Sequence, residues 1–318
     1  MSEGISDKAG LKLVVAGASG TIGRALVSEC VSRSFAVTAL VRDEGSAPLE
    51  ELQGALIRGV DLSDRAAVTT ALEEIAPDIV ISCIASRSGS PKDAKAVDLD
   101  ANLNLLAACE VSRAHQFILL SAICVQRPKL AFQRAKLAFE AALAEAPINH
   151  TIIRPTAFFK SLSGQVERVR GGKPFMIFGN GELTRCKPIS DADLARFIAD
   201  RIGDKASFGA ILPIGGPGPA ITLKQQGELV FEAAGIPPRF QSVPTFLFSA
   251  ASAILSLGAP FSSWFAEQAE YARIARYYAT ESMLVLDPAS GQYSAEATPE
   301  FGSDTLADHY RAMLDAAS

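Results

Sequence analysis

The chain has few of the residues on which metal sites and disulfide frameworks depend. Its 318 residues include three histidines and five cysteines, and the cysteines are scattered without a Cys-x-x-Cys pair. We therefore expect reduced, structural cysteines, with neither a disulfide framework nor a zinc site. Positive charge is not concentrated either, because the net charge is −5 and no basic run occurs. This charge pattern argues against binding to the phosphate backbone of nucleic acids.

Charged residues are absent from one long segment, residues 241–266. Its 26 residues are enough to span a bilayer, but Pro244, Gly258 and Pro260 interrupt it and no basic cluster flanks it. A membrane span is therefore not expected. Two interpretations remain open: a helix buried in the protein, or an apolar wall of a large hydrophobic pocket that also touches a membrane surface. Since residues 1–10 are polar and resemble no signal peptide, we expect a cytoplasmic protein.

The segment LKLVVAGASGTIGRALVSECV, which begins at Leu11, predicts a binding site for a dinucleotide phosphate. An apolar strand leads into three glycines, and a helical apolar repeat follows. Gly17 permits a tight turn, Gly20 lets the backbone approach a pyrophosphate, and Gly23 lets the helix pack on the sheet. The N–H groups of the first helical turn then point at the anion. The predicted phosphate loop comprises Gly17, Ser19, Gly20, Thr21, Ile22 and Gly23.

The next strand, AVTALVR, ends at the position where a dinucleotide fold meets the adenine ribose. Arg42 stands there, and an arginine at this place accommodates the 2′-phosphate of NADPH. Arg24, directly after the third glycine, offers a second guanidinium. The alternative is that Arg42 belongs to a solvated strand end. Asp61 and Leu62 are predicted to border the adenine, although Asp61 is equally suited to be the N-cap of the following helix.

Strands and amphipathic helices alternate through the first half of the chain. Runs such as DIVISCIA and FILLSAI are almost continuously apolar, which is typical of strands that are covered on both faces. We predict an α/β fold with a doubly wound parallel Rossmann sheet in an NADP-binding domain at residues 11–155. Residues 156–318 are predicted to form a smaller, mostly helical substrate-binding lobe, with some segments returning to the sheet.

The segment FILLSAICVQRPKLAFQRAKLAFE resembles the catalytic region of the short-chain dehydrogenase/reductase superfamily, in which a serine acts with Tyr-x-x-x-Lys. Ser121 occupies the serine place and Lys136 the lysine place, but Phe132 stands where the tyrosine belongs. The resemblance implies that Lys136 donates to the nicotinamide ribose and that Arg154 and Pro155 contact the nicotinamide. Without the phenol, protonation of a carbonyl oxygen is not expected.

Longer blocks, among them TIIRPTAFFKSLSGQVERVRGGKPFMIFGNGEL and RYYATESMLVLDP, resemble the divinyl chlorophyllide 8-vinyl reductases. That family is an atypical branch of the superfamily, related to NmrA-like and isoflavone-reductase-like proteins. The resemblance implies NADPH-dependent reduction of the 8-vinyl group of a magnesium tetrapyrrole, divinyl chlorophyllide or protochlorophyllide, in chlorophyll or bacteriochlorophyll synthesis. It also implies a cytoplasmic enzyme that is either soluble or peripheral at photosynthetic membranes.

A flat macrocycle with a propionate requires an apolar cleft, aromatic walls and a cation. The candidate substrate-binding residues are Phe132, Phe158, Phe159, Lys160, Phe246, Trp264, Arg273 and Arg276. Hydride addition to the terminal vinyl carbon leaves negative charge that the macrocycle spreads, so a weak acid can complete the reaction. The sequence leaves Tyr277, Tyr278, Lys160 and water as alternative proton donors.

Two other classes of protein share some of these features. A non-catalytic NADP(H)-sensing protein of the NmrA type would keep the glycine loop and lack the tyrosine, but Lys136 and the charge-free segment favour an enzyme. A sugar-nucleotide epimerase would need the phenol that Phe132 lacks, whereas another reductase of C=C bonds, like isoflavone reductase, would not. The sequence indicates neither the preferred tetrapyrrole nor an oligomeric state.

Overall fold

A computed structural model describes residues 10–46, 49–258 and 262–316 of the chain. In chain order the strands are β1 (Lys12–Ala16), β2 (Ala36–Val41), β3 (Leu56–Gly59), β4 (Ile79–Ser82), β5 (Gln116–Leu120), β6 (Asn149–Pro155), β7 (Phe175–Phe178), β8 (Arg185–Cys186), β9 (Ala210–Ile214), β10 (Ile221–Thr222), β11 (Phe240–Val243), β12 (Val285–Leu286) and β13 (Tyr293–Ser294).

The helices follow the strands along the chain. They are α1 (Thr21–Ser32), α2 (Arg65–Ile75), α3 (Pro91–Asp93), α4 (Asn102–Ser112), α5 (Ala131–Glu145), α6 (Phe159–Leu162), α7 (Val166–Arg170), α8 (Asp191–Asp200), α9 (Leu223–Ala233), α10 (Phe246–Gly258), α11 (Ser263–Thr280) and α12 (Leu306–Asp315). A π-helix covers Ala94–Ala101, and short 3₁₀ helices cover Glu44–Ser46, Leu49–Leu52, Ile123–Gln126, Ser163–Gln165 and Lys205–Ser207.

Seven strands form one sheet in the order β3-β2-β1-β4-β5-β6-β9. The pairings from β3 through β6 are parallel. Every residue of β4 and of β5 is buried, as their apolar sequences predict for strands covered on both faces. The predicted doubly wound parallel sheet is thus confirmed. Because the strand order reverses between β1 and β4, a crevice opens there at the carboxyl edge of the sheet, the usual ligand site of such folds.

The chain divides into two compact units. The first, here called the sheet unit, comprises the described residues up to Val125 together with Ala131–Arg154 and Leu194–Leu212. The second unit comprises Gln126–Leu130, Pro155–Asp193 and the described residues from Pro213 onward. The chain therefore passes between the units several times, and Leu194–Leu212 carries most of α8 and part of β9 into the sheet unit.

The second unit has its own apolar core. Helix α9 starts with a capping box, in which Thr222 and Gln225 each accept a hydrogen bond from the other's backbone N–H. Parallel pairing of β7 with β11 brings Phe175 beside Phe240, with the ring centroids 6.3 Å apart. The buried members of this core are Phe159, Val166, Val169, Phe175, Ile177, Val230, Phe231, Leu306, Tyr310 and Leu314.

The charge-free segment forms the end of β11, helix α10 and the start of α11, while Pro260 lies outside the described residues. No residue of α10 is buried. Of the two interpretations left open for this segment, the buried helix is therefore wrong: α10 packs on α11, and Phe248 lies against Phe178 with the ring centroids 5.3 Å apart, but Phe246, Ile254 and Leu257 are exposed. Within the described part of the chain, no helix is both long and apolar enough to cross a membrane.

Candidate cofactor and active site

The glycine loop has the geometry that a phosphate cradle requires. Gly17 has a φ of +77°, and a Cβ at that residue would lie 2.9 Å from the carbonyl carbon of Cys83. A Cβ on Gly23 would lie 2.2 Å from the Gly17 carbonyl oxygen. Gly20 is the N-cap of α1 and gives the first turn no side-chain hydrogen bond, as in phosphate-binding helix N-termini. The contact with Cys83, which follows β4, places the loop in the crevice where the strand order reverses.

Arg42 follows β2 directly and is exposed to solvent. Hydrogen bonds from Ser63, first from its backbone N–H and then from its hydroxyl, lower the pKa of Asp61, and the charge of Arg42 acts in the same direction. Helix α2 is capped by Asp64, whose carboxylate accepts from the N–H groups of Ala66 and Ala67. The N-cap interpretation of Asp61 is therefore wrong: Asp61 makes a turn with Ser63 and leaves the cap to Asp64.

Two other residues of the predicted adenosine site have protein contacts. The Nε atom of Arg24 lies 2.6 Å from Oε2 of Glu51, so this guanidinium is shared with a partly exposed carboxylate. The side chain of Leu62 packs against the apolar core of the sheet unit. Arg42 is therefore the better placed of the two arginines to take a phosphate, because Arg24 would have to exchange its partner.

Lys136 is paired with an aspartate, Asp98, that no local sequence pattern connects with it. Its Nζ lies 2.9 Å from Oδ1 of Asp98, and both side chains are at least 90% buried. Asp98 lies in the π-helix, a rare form that often marks functional sites. Lys136 also acts electrostatically on Cys83, the residue against which Gly17 packs. The Lys136–Asp98 pair thus lies on the loop side of the sheet unit.

Ser121 and Arg154 converge on a second buried carboxylate, Glu140. The Ser121 hydroxyl donates to Oε1 of Glu140, and Arg154 donates to both carboxylate oxygens through Nε and Nη2. Ser121 follows β5, and its backbone N–H donates to the Ile153 carbonyl oxygen of β6 at 2.8 Å. Because an ionised carboxylate only accepts, the Ser121 proton is directed away from any substrate oxygen.

Phe132, Lys136 and Glu140 follow one another at intervals of four residues along α5, so they share one face of the helix. This spacing in the sequence would have allowed Glu140 to be predicted as a site residue. No such signal pointed to Asp98, because it stands 38 positions before Lys136 and only the fold brings the two together. Phe132 is half-buried and supplies no proton to this face.

The candidate residues of the second unit differ widely in accessibility. Phe159 is buried, with its ring centroid 5.4 Å from that of His309, whereas Phe158 is half-buried and Lys160 is exposed. Tyr277 is buried and Tyr278 is exposed, although the two rings lie 5.8 Å apart. Of these candidates, Phe158, Lys160 and Tyr278 are accessible without rearrangement.

The two candidate cations for a propionate lie on α11. Arg273 donates to Glu270 Oε2 at 2.7 Å and to the Ser256 hydroxyl at 2.9 Å, whereas Arg276 is exposed. Phe246 and Trp264 are also exposed. Arg273 would have to leave Glu270 to bind a propionate, and Arg276 would not have to break that ion pair.

The parallel sheet, the glycine cradle and the lysine on α5 together define a nucleotide-dependent protein of the Rossmann class. The family model described as NAD(P)H-binding matches residues 17–205. Among solved structures, the NADPH complex of the NADPH-dependent quinone oxidoreductase QOR2 from Escherichia coli has a TM-score of 0.68 and 19% identity, covering 95% of this chain and 99% of that one. A putative epimerase from Burkholderia cenocepacia has a TM-score of 0.70 and 17% identity, with coverages of 97% and 98%. These likenesses confirm the fold, and NAD(P)H is the cofactor class.

Curated relatives define the family more narrowly. The chain is 44% identical over 317 residues to the chloroplastic divinyl chlorophyllide a 8-vinyl-reductase of Cucumis sativus, covering 95% of this chain and 76% of the relative. Identity to the protein of the same name from Arabidopsis thaliana is 43%, covering 96% and 77%. The chain belongs to the divinyl chlorophyllide a 8-vinyl-reductase family, as its sequence blocks predict.

Proposed function

We propose that this chain reduces the 8-vinyl group of a divinyl chlorophyllide-type magnesium tetrapyrrole to an ethyl group, with NADPH as the reductant. The observation that carries the proposal is the identity of 44% to a reductase of that name along 95% of the chain. The glycine loop fits the pyrophosphate of the cofactor: Gly20 leaves the N-terminus of α1 without a Cβ, and Gly17 and Gly23 allow the turn and the helix to lie against backbone atoms that a Cβ would meet.

The residues at the carboxyl edge of the sheet unit suit a C=C bond better than a carbonyl. When bound, NADPH supplies a hydride. A carbonyl would become an oxyanion and need a donor, but Phe132 has none and the Ser121 proton is directed to Glu140. A vinyl group conjugated with a macrocycle spreads its charge over the rings instead. The protein then has to orient the reactants and deliver one proton to carbon.

A direct assay tests this function. Incubation with NADPH and divinyl chlorophyllide is expected to shift the Soret band of the pigment to shorter wavelength, because one double bond leaves the conjugated system. One NADPH should be oxidised per pigment, and omission of NADPH is the control. Stoichiometric NADPH binding without any pigment reduction would favour the NADP(H)-sensing class instead.

Arg42 is proposed to select NADPH over NADH. Arg42→Ala is expected to weaken NADPH binding by about 1.5–3 kcal/mol, the size of a charge-assisted hydrogen bond, and to leave NADH binding nearly unchanged. Titration of both cofactors by calorimetry measures the two effects. Arg58→Ala is a matched control, since Arg58 is another partly exposed arginine of the sheet unit and pairs with Glu74. Equal losses for NADPH and NADH would remove Arg42 from the 2′-phosphate site.

We also propose that α10 and α11, here called the apolar hairpin, rest on a lipid surface. Helix α10 carries no charged residue, and its Ser256 receives a hydrogen bond from Arg273 of α11, which also pairs with the buried Glu270. Ile254 and Leu257 of α10 are 68% and 77% exposed. An uncharged helix that exposes large apolar side chains suits an interface with lipid better than contact with water.

The length of α10 limits how it can meet a bilayer. Its 13 residues span about 20 Å, which is shorter than the hydrocarbon core. An interfacial position is therefore favoured, with the apolar residues among the lipid chains. A Cβ on Gly258 would lie 2.6 Å from the ring of Phe265, a close approach of the kind that small residues permit between helices in lipid.

The double substitution Ile254→Asp with Leu257→Asp is expected to abolish association with phospholipid vesicles, because each carboxylate would have to lose its hydration. Vesicle flotation measures the association. In the unaltered chain, but not in the double variant, vesicles should also shift the fluorescence emission of Trp264, the only tryptophan, to shorter wavelength. Leu56→Asp is the matched control, being an equally exposed leucine of the sheet unit. Saturable quenching of Trp264 by pigment, without vesicle binding, would instead identify the hairpin as a wall of the pigment site.

A further inference from the structure

The reaction needs an acid, and the described side chains near the glycine loop include few that can serve. Of the polar groups on the catalytic face of α5 and the adjacent strand ends, Ser121 directs its proton to Glu140. Arg154 is bound to the same carboxylate, and a guanidinium does not give up its proton in proteins. Phe132 carries no acidic proton. Lys136 is the remaining cation of that face, and its ammonium bears three protons.

Lys136 forms a buried ion pair with Asp98, whose Oδ1 lies 2.9 Å from Nζ. Asp98 is held in turn by its place in the π-helix and by the N–H of Ser86, 3.4 Å from Oδ1. Because an ammonium has three N–H groups, Lys136 keeps donors for a ribose hydroxyl and a reacting carbon while it pairs with Asp98.

The second carboxylate oxygen of Asp98 is anomalous. Its Oδ2 atom is fully buried and has no hydrogen-bond partner among the described residues. A buried carboxylate oxygen left without a donor is costly, so such an atom indicates a donor that is still to arrive. A water molecule would satisfy it and would give a path by which the amine regains a proton from solvent after it has lost one.

We infer that Lys136 is the proton donor of the reduction and that Asp98 is the positioning residue that holds its ammonium; the inference rests on the function proposed above. Hydride addition to the terminal vinyl carbon breaks the C=C π bond and leaves its electron pair on the adjacent carbon. That carbon forms a C–H bond with a proton from Lys136 Nζ, whose N–H bond breaks to leave a neutral amine. Water then returns a proton to Nζ beside Asp98. The vinyl group is reduced and NADPH is oxidised to NADP⁺.

Lys136→Arg separates proton donation from ribose binding. Arginine keeps the positive charge and the N–H donors, so NADPH affinity should stay within about threefold of the unaltered chain, but the guanidinium cannot release a proton. Turnover should fall by about 10²–10⁴-fold, the usual contribution of a general acid. With protonation now limiting, the primary isotope effect of 4-deuterated NADPH should approach unity and the solvent isotope effect should rise.

A merely misplaced ribose would give the opposite signature, because slow hydride transfer keeps the primary isotope effect large. That result, or turnover of Lys136→Arg within threefold of the unaltered chain, would overturn the inference. Asp98→Asn should slow turnover with the same isotope signature while NADPH still binds. Cys109→Ala is the control: burial raises the pKa of this thiol in the apolar core of the sheet unit to about 12, and its loss should leave both isotope effects unchanged.

The proposed function and this inference fail in different ways. If the unaltered chain shows no Soret shift, the function is wrong and the variants are not informative about the acid. If the unaltered chain reduces the pigment and Lys136→Arg turns over within threefold of it, the function stands and Lys136 is not the donor.

Discussion

Glu140→Ala is expected to destabilise the sheet unit by about 3–5 kcal/mol, because it leaves the Arg154 guanidinium buried without its counter-ion. The Ser121 hydroxyl loses its acceptor in the same step. Urea denaturation followed by far-ultraviolet circular dichroism measures the free energy of unfolding. The expected loss is a large part of the stability of an ordinary domain, so the variant should unfold at much lower urea concentration.

A double variant distinguishes the effect of an unpaired Arg154 charge from the effect of lost side-chain packing. Glu140→Met combined with Arg154→Met removes both charges and keeps much of the volume, so it should recover most of the stability that Glu140→Ala loses. Glu140→Gln keeps the shape and should fall between the two. If the double variant were as unstable as Glu140→Ala, the pair would act through packing, and the unpaired charge would not explain the effect.

Gly23→Ala is expected to damage the cofactor loop and the protein together. The new Cβ would lie 2.2 Å from the Gly17 carbonyl oxygen. Because that oxygen belongs to the backbone, the clash can be relieved only if α1 moves away from the sheet. Overpacking of this kind costs about 1–3 kcal/mol. The same displacement moves the helix N-terminus away from the phosphate, so calorimetry should show NADPH affinity lowered by about tenfold or more, since 1.4 kcal/mol corresponds to tenfold.

Gly20→Ala is the control for this variant. At Gly20 the nearest atom to a new Cβ is the Gly17 carbonyl oxygen at 3.2 Å, and φ is −75°, which any residue adopts. Stability should therefore be nearly unchanged while NADPH affinity falls, because the methyl group occupies the approach of the pyrophosphate. If Gly20→Ala bound NADPH normally, the phosphate would not lie against this face of the loop.

The parallel sheet and the glycine loop were predictable because each rests on a local pattern. Strands β4 and β5 are apolar except for Ser82 and Gln116, and such runs are stable only where both faces are covered. Two of the loop glycines likewise have a local requirement, since Gly17 has a φ of +77° and a Cβ on Gly23 would lie 2.2 Å from the Gly17 carbonyl oxygen. A local pattern of this kind is visible in the sequence before any tertiary contact is known.

Features that depend on the three-dimensional arrangement, such as which aspartate caps α2 and whether α10 is covered, were predicted less well. Asp61 and Asp64 are both suitable caps for α2, and only the backbone geometry selects Asp64. Residues 241–266 are free of charge, but hydropathy alone does not tell whether an apolar helix is covered, and α10 is not. In both cases the residue types were correct for the predicted role and the tertiary structure selected a different outcome.

The sequence by itself determined the class of fold, the phosphate loop and, through its blocks of similarity, the family. It also showed that Phe132 replaces the tyrosine four residues before Lys136, which favours reduction of a C=C bond over reduction of a carbonyl. Only the tertiary structure decided the partners of the charged groups. Asp98 and Glu140 lie far along the chain from groups they bind, Asp98 from Lys136 and Glu140 from Ser121, and the sheet brings them together. The physical reason is that a buried charge must find an opposite charge or a donor nearby in space, and distance along the chain does not reveal which residue supplies it.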